Sequence, residues 1–469
     1  MKKYYIIICL SLFIFSCEKY VDILPKGNTI PTNVDDLAEL MNISGSDGSS
    51  GTKIQVSTLN TLSMIDDIKY VENGFVGVFS QQPLSTQKAY IWAPYLYTIN
   101  ENDDDWNKLY SSNYLLNYII ENVENASQGR IYDRNDVKGR ALFHRAMNYF
   151  ILANEYSKQY KESTATNDLS VPLVLESNIN KSHPRSKVKE VYNSIISDLT
   201  ESIKLLKNDY DQFNHIPGKA AAFALLSRVY LFMGKYQESY DNSVEALSRK
   251  SAVIDYNRLS FVVPYMGAYG GLNNYYENIY TNEEILYERE YIGYRDYLMT
   301  DDLLGIFDRV SDLRYRYMTV DLSIFGLSGI LAFSSNMSSN IMTSEIWLTK
   351  AECALRVQNP NISEALNALN YVRIRRIDKN LYTPVTETNK DKLLKLILEE
   401  RRRETRMSYM RWFDLKRLNL DPSTAKTITR SIGGNVYTLT PESPLYVLPI
   451  PLNVLQFDNI PQNPAPGRN

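Results

Sequence analysis

The chain has three histidines, His144, His183 and His215, and their placement argues against most histidine chemistry. None belongs to an HExxH segment, where two imidazoles one helical turn apart hold zinc, and no two have a metal-ligand spacing. GxSxG, P-loop and GxGxxG patterns are all lacking, so serine hydrolysis and nucleotide binding have no support. Carboxylates come in runs instead: Asp66-Asp67, Asp103-Asp104-Asp105 and Asp301-Asp302. A glycosidase needs two acids about 5–10 Å apart across a sugar, and neighbours in one run do not establish that separation. The run at 103 lacks the glycine and spacing of a calcium loop. These acids read as solvated turns or helix N-caps, and neither a metal nor a cofactor is expected.

Aromatic chemistry is better represented, with 36 tyrosines beside 4 tryptophans and 15 phenylalanines. A sugar ring offers a C–H face ringed by hydroxyls. An aromatic plane covers the face, and amides, carboxylates or phenols take the hydroxyls; a pocket with a few placed polar groups follows the same rule. Two stretches fit. "YIWAPYLYTINEN" supplies Trp92, Tyr95 and Asn100, and "YMGAYGGLNNYY" supplies Tyr265, Tyr269, Asn273, Tyr275 and Tyr276. These eight are the candidate ligand contacts. The competing reading is packing: Trp92, just before Ala-Pro, can plug a core, and many tyrosines can sit between helices.

Something rigid must hold such groups in place, and the sequence offers helix pairs. In "FALLSRVYLFMGKYQESYDNSVEAL" the bulky Phe223, Leu226, Tyr230 and Leu231 share one helical face, Gly234 makes a turn, and Ser239, Ser243 and Ala246 leave notches on a second helix. That is the tetratricopeptide pattern, in which neighbouring units bury each other's faces. "EIWLTKAECALRVQNPNISEALNALNYVRIRR" repeats it with Trp347, Ala351, Ala354 and Ala365. A weaker unit joins "KGRALFHRAMNYFILANEYSKQY" to "KEVYNSIISDLTESIKLL" across a long excursion, and "WNKLYSSNYLLNYIIENVEN" precedes it. The expected fold is mostly α: helix pairs over about 106–247 and 344–418 form a scaffold. A loop-rich insertion over about 250–343 and a Pro-rich tail, 441–469, running extended over the surface, complete it. "NISGSDGSSGTK" reads as a mobile surface loop. In "EERRRETRMSYMRWFDLKR" the alternating Glu and Arg pair along the helix, while Trp412 and Phe413 anchor it on the core.

Charge is nearly balanced, 51 Lys plus Arg against 54 Asp plus Glu, so no basic field is available for nucleic acid. Lys2 and Lys3 precede a largely apolar run, Tyr4 to Phe15, too short for a bilayer core that needs roughly 20 residues. The segment suits an export signal, residues 1–16. Ser16-Cys17 resembles a bacterial lipobox, which makes Cys17 a lipid anchor on the mature chain, 17–469. A plain cleaved signal and a retained core helix are the alternatives. With Cys9 in the signal, Cys353 is left as a lone internal thiol, and no internal disulfide is expected.

Taken in order, Cys17, "WNKLYSSNYLLNYII", "GRALFHRAMNYFILANEYSKQY", "VPLVLES…HPRSKVKEVYNSIISDLTESIKLL", "GKAAAFALLSRVYLFMGKY", "NEEILYERE", the "EIWLTKAECAL" unit, "LILEERRRETRMSYMRWFDLKR" and "LPIPLNVLQFDNIPQNPAPG" resemble the SusD/RagB-like outer-membrane lipoproteins of Bacteroidetes. The resemblance implies a helical repeat half and a loop-rich half, lipid attachment at the cell surface, and a non-enzymatic role. Such proteins cap a SusC-like TonB-dependent transporter and capture oligosaccharide for import. The ligand class stays open, since it varies across the family. The alternative function is a tetratricopeptide scaffold binding protein or peptide on its repeat concavity.

Overall fold

A computed structural model of the chain describes residues 31–44, 50–52, 59–74, 76–211, 213–261, 272–273, 282–289, 297–325, 328–332, 340–457 and 459–468. Cys17, Tyr265, Tyr269, Tyr275 and Tyr276 lie outside the described residues.

Helices α1 (Val34–Glu39), α2 (Leu59–Met64), α3 (Leu84–Tyr90) and α4 (Asp104–Asn122) lead into helices packed side by side. α5 (Arg134–Tyr156) packs on α6 (Val188–Leu205), α7 (Lys219–Phe232) on α8 (Tyr236–Arg249), and α9 (Thr343–Arg356) on α10 (Ile362–Arg373). α11 (Lys390–Glu404), α12 (Met410–Leu418) and α13 (Leu452–Phe457) follow. The fold is mostly α, as the periodicity predicts.

Small residues set the closest approaches. In the α7–α8 pair, Ser227 Oγ donates to the Ser239 carbonyl (2.7 Å) and Ser239 Oγ returns a bond to the Ser227 carbonyl (2.8 Å). Two side chains of any bulk there would force the backbones apart. Gly234, at φ +72°, makes the tight turn between them in a conformation that L side chains rarely adopt. In the α5–α6 pair a Cβ on Gly139 would meet the Leu206 nitrogen at 3.0 Å, and Ser202 Oγ donates to the Gly139 carbonyl (2.7 Å).

Strands are short and few among the described residues. β1 (Ile68–Lys69) is an edge of a four-stranded antiparallel sheet whose order runs β5-β6-β4-β1, with β4 (Tyr297–Met299), β5 (Thr319–Asp321) and β6 (Ile330–Ala332). β2 (Leu169–Pro172) pairs with β3 (Arg185–Lys187), which pins both ends of the excursion between α5 and α6. β7 (Ile428–Ile432) and β8 (Asn435–Leu439) form a hairpin.

Four expectations need correcting. The glycine- and serine-rich stretch near residue 45 is not wholly loop, since Asn42–Ser44 pairs antiparallel with Ser50–Thr52. The tail does not merely run over the surface: Tyr446, Leu448 and Ile450 are buried, and Asn463 Nδ2 donates to the Tyr156 and Leu448 carbonyls (2.8 Å each). Its prolines include two at helix starts, Pro444 opening the turn Pro444–Tyr446 and Pro451 just before α13, and its apolar residues still have to be covered.

The Glu/Arg segment breaks after Glu404, and its charges mostly leave the helix instead of pairing along it. Arg401 bonds Asp414 and Glu345, Arg402 bonds Asp67 and Asp302, and Arg417 forks onto Glu352 (2.7 and 2.9 Å). Asp66 and Asp67 are the surprise within this network, because both are buried and not solvated. Buried charges persist only when paired and hydrogen-bonded. Asp66 is held by Arg411, Arg402 and Lys426, which keep its carboxyl well below the usual range despite burial. Trp412 and Phe413 anchor α12 in the core as expected.

An aromatic cleft beside helix α4

Asp103 caps α4, accepting from the backbone nitrogens of Asp105 (3.1 Å) and Trp106 (3.4 Å). Burial and the neighbouring Asp105 push its carboxyl up to about 7. From that start Trp106, Tyr110 and Tyr114 fall one turn apart on one stripe. The Trp106 and Tyr110 rings tilt together at 4.8 Å, and Trp106 meets Tyr156 edge-on at 5.0 Å. Trp106 is thereby seated in the core at 5% exposure, whereas Tyr114 is 43% exposed.

The other wall is the excursion between β2 and β3. Asn117, one turn from Tyr114, donates to the carbonyls of Val174 (3.0 Å) and Glu176 (3.1 Å). Arg145 fixes Asn117 in that orientation through Asn117 Oδ1 (2.9 Å) and is itself gripped by both oxygens of Asp198 (2.8 Å each). Tyr149 Oη donates to the Val174 carbonyl (2.7 Å) and accepts its N–H (2.8 Å), while Tyr110 Oη donates to the Pro172 carbonyl (2.7 Å). Glu121 accepts the Ser177 N–H (2.9 Å). These bonds satisfy the backbone of a loop that has little secondary structure of its own.

The result is a cleft of about 360 Å³ with Trp106, Tyr110 and Tyr114 along one side and Glu176, Asn178, Ile179, Lys181 and His183 along the other. Val454 of α13 also lines it. Ile179, 79% exposed, overhangs the rim. Glu176 is paired with Lys181 (2.5 Å) and lies 3.4 Å from His183 Nε2, so the wall carries little uncompensated charge. Flat apolar rings facing an amide, an ammonium and an imidazole can cover one face of a sugar and reach its hydroxyls. Two-acid glycoside hydrolysis finds a single carboxylate, Glu176, in this lining. Among the described residues no group of three or more His, Cys, Asp and Glu could hold a metal, and no helix is long and apolar enough to cross a membrane.

The eight sequence candidates fare differently. Trp92 is a correction: at 2% exposure it is core, with its indole N–H donating to the Met64 carbonyl (3.0 Å) and the Arg430 guanidinium 4.3 Å from its ring. The Ala-Pro after it turns the chain at a buried site (Trp92 φ +53°), so the ring points inward. Tyr95 is half-buried near Arg468, and Asn100 is exposed. Two residues on, Asn102 accepts from Asn453 (2.8 Å), the neighbour of Val454, so this segment runs toward the cleft. Asn273 lies in a strand, Leu272–Asn273, paired with Ser260–Phe261.

The sequence reading missed Trp106, Tyr110 and Tyr114. Their spacing was visible, but a stripe facing a cleft has the same period as one facing a core. His183 and Glu176 sat in the excursion with no pattern to single them out.

Comparison with known proteins now decides the family. A SusD-like family model described as "Starch-binding associating with outer membrane" matches residues 56–231, and the SusD family model matches residues 335–465. Together they take in more than half of the chain, from opposite sides of the loop-rich insertion. The chain belongs to the SusD/RagB-like family.

Solved SusD-type structures share the fold. A SusD superfamily protein from Bacteroides thetaiotaomicron is 19% identical, with a TM-score of 0.68 over 92% of this chain and 98% of its own. A SusD-like carbohydrate-binding protein from Bacteroides vulgatus is 18% identical, with a TM-score of 0.60 over 90% of this chain and 94% of its own. A laminarin-binding SusD-like protein is 17% identical, with a TM-score of 0.58 over 87% of this chain and 94% of its own. No curated protein matches the sequence.

Proposed function

We propose that this SusD-like chain is a cell-surface glycan-binding lipoprotein without catalytic activity. Cys17 carries its lipid anchor at the outer membrane. Oligosaccharide is captured in the cleft beside α4 and handed to a SusC-like TonB-dependent transporter. The observation that carries the reading is the aromatic stripe: Trp106 and Tyr110 are braced from behind, and Tyr114 is left 43% exposed opposite a wall of polar side chains. A large ring half open to water, beside groups that bind hydroxyls, suits a ligand with one apolar face and a polar edge. The family resemblance supports the same class of ligand. Tyr95 and Asn100, with Asn273 and Tyr265, Tyr269, Tyr275 and Tyr276 of the loop-rich insertion, are proposed as further contacts for a longer glycan.

The test is affinity electrophoresis of the mature chain through gels containing laminarin, starch or other polysaccharides. Retardation by at least one glycan, weakened by Tyr114→Ala, is the expected result. Migration unchanged in every gel would overturn the assignment. Copurification of a TonB-dependent transporter from outer membranes, and its loss from the membrane fraction with Cys17→Ala, test partner and anchor separately.

A further inference from the structure

A second opening of about 370 Å³ lies between β1 and the β7–β8 hairpin. Consecutive residues line it on both sides: Ile68, Lys69 and Tyr70 on one, and Thr427 through Ser431 on the other. Successive strand side chains point to opposite faces, so an opening that touches every residue in turn looks along the strands' edges.

The hairpin's register says which backbone groups face that opening. Gly433 and Gly434 both have positive φ (61° and 72°), the two-residue primed turn that right-handed strand twist favours. Ile432↔Asn435 therefore closes the ladder, and Ile428, Arg430 and Ile432 turn their N–H and C=O toward β8. Thr429 and Ser431 turn theirs the other way, and among the described residues no backbone or side-chain group bonds to them. Across the opening, the Thr300 N–H donates to the Asp67 carbonyl (3.0 Å), so Asp67 and Lys69 face β4 and Ile68 faces out.

Two strand edges thus confront one another, and tethers at each end hold them. Lys426 Nζ bridges Asp66 (2.7 Å) and Asp302 (2.6 Å) at one end. At the other, Glu72 accepts the Gly433 N–H (2.9 Å). Arg430 fixes the hairpin from beneath by donating to the carbonyls of Ser63 and Met64 (3.0 Å each). The slot can neither close by sliding nor widen freely. Natural proteins cap or crowd exposed edges because such edges recruit strands; here the β1 side is capped at Tyr70, whose N–H donates to Tyr90 Oη (3.3 Å), while the Thr429–Ser431 edge of β7 is left open.

We infer that the slot between β1 and β7 binds an extended peptide segment of a partner protein by adding it as a strand. Main-chain bonds to Thr429 and Ser431 supply the attachment, and alternate side chains meet the Tyr70 and Tyr90 floor. Charge at the rim selects the segment. Asp301 is the most exposed charge at the rim, 90% against 47% for its partner Lys69, whereas Asp302 is shared by Lys426 and Arg402, so a basic side chain on the outer face of the peptide is favoured beside Asp301. The inference is independent of glycan binding.

The test uses the mature chain and a capped octapeptide in which valine and lysine alternate. A second peptide has the same side chains but N-methyl groups at every other amide on its pairing edge. Binding is read by fluorescence anisotropy, and by hydrogen exchange at Thr429 and Ser431. The parent peptide binds and slows exchange at those two amides. N-methylation and Thr429→Pro each weaken binding by about tenfold, and Asp301→Lys weakens it by about two- to fivefold. Thr429→Pro removes only an outward N–H, and Asp301 is solvent-exposed, so folding is preserved and checked by thermal midpoint. No binding of the parent at millimolar concentration overturns the inference. So does equal affinity for the N-methylated peptide, which would reduce the effect to charge attraction.

Discussion

Replacing Tyr114 with alanine isolates the exposed end of the aromatic stripe. A tyrosine presents roughly 200 Å² when open, so 43% exposure leaves about 85 Å² of ring for a ligand to cover. A sugar face that covers half to all of this removes about 40–85 Å² from water. At about 25 cal/mol per Å², that is about 1–2 kcal/mol of binding, or about 5- to 30-fold in Kd. The assay is isothermal titration with oligosaccharides from whichever glycan retards the wild-type chain. Because so much of the ring already faces solvent, the thermal midpoint should stay close to wild type, which separates lost contact from lost folding. Unchanged affinity with an unchanged midpoint would refute the cleft as the glycan site and return attention to the tyrosines between 265 and 276. Affinity lost together with a large fall in midpoint would show that Tyr114 braces α4 and does not touch ligand.

Trp92→Ala should behave in the opposite way. It empties a core position and orphans the Met64 carbonyl, costing about 3–5 kcal/mol by denaturant titration, while folded variant binds glycan normally. Asn117→Ala removes the amide that donates to the Val174 and Glu176 carbonyls and leaves Arg145 Nη1 without its amide partner. A stability loss of about 1–3 kcal/mol is expected, with faster hydrogen exchange through residues 174–178 and weaker glycan binding.

Acid titration should reveal two opposing slopes in the pH dependence of the thermal midpoint. Arg401 and Arg417 hold the buried Asp414 carboxyl down to about 2, and Arg376 and Arg314 do the same for Glu404. Their folded values lie below the unfolded ones, so this stabilisation is present above about pH 4 and is lost as pH falls toward 2. Asp103 works the other way. Its folded value, about 7, lies above the unfolded one, so the folded state holds its proton and stability declines as pH rises from about 4 to 7. Asp103→Asn keeps the cap acceptor and should make that second slope shallower without touching the first, the remainder coming from Glu155, Asp67 and Asp198, whose carboxyls burial also raises.

How much of this was legible in the sequence depended on whether the signal was local. The α7–α8 pair was, because Ser239, Ser243 and Ala246 must be small wherever two backbones touch, and Gly234 marks the turn between them. Asp103 as an N-cap was legible for the same reason. Arg401, Arg402 and Arg417 were not, since their partners Asp66, Asp67, Glu345 and Glu352 come from segments far away in sequence. Spacing one turn apart on a helix made local pairs look sufficient. Trp92 and Trp106 show the limit most clearly. Each is a tryptophan near tyrosines and asparagines, and only tertiary packing decides which one lies beside the cleft.

The two openings place opposite demands on the backbone. In the cleft beside α4, loop carbonyls at Val174 and Glu176 are already taken by Asn117 and Tyr149, so a ligand there meets side chains and gains from shape and ring contact. In the slot beside β7, the side chains of Ile428 and Arg430 turn inward and the backbone of Thr429 and Ser431 is what remains on offer. A polyol cannot reproduce the strict alternation of donors and acceptors along a strand edge, whereas a polypeptide supplies it at every second residue. The same division predicts independence. A glycan saturating the first site should leave peptide affinity at the second unchanged, because no shared side chain lines both. Competition between the two ligands would mean that one of the sites has been assigned to the wrong chemistry.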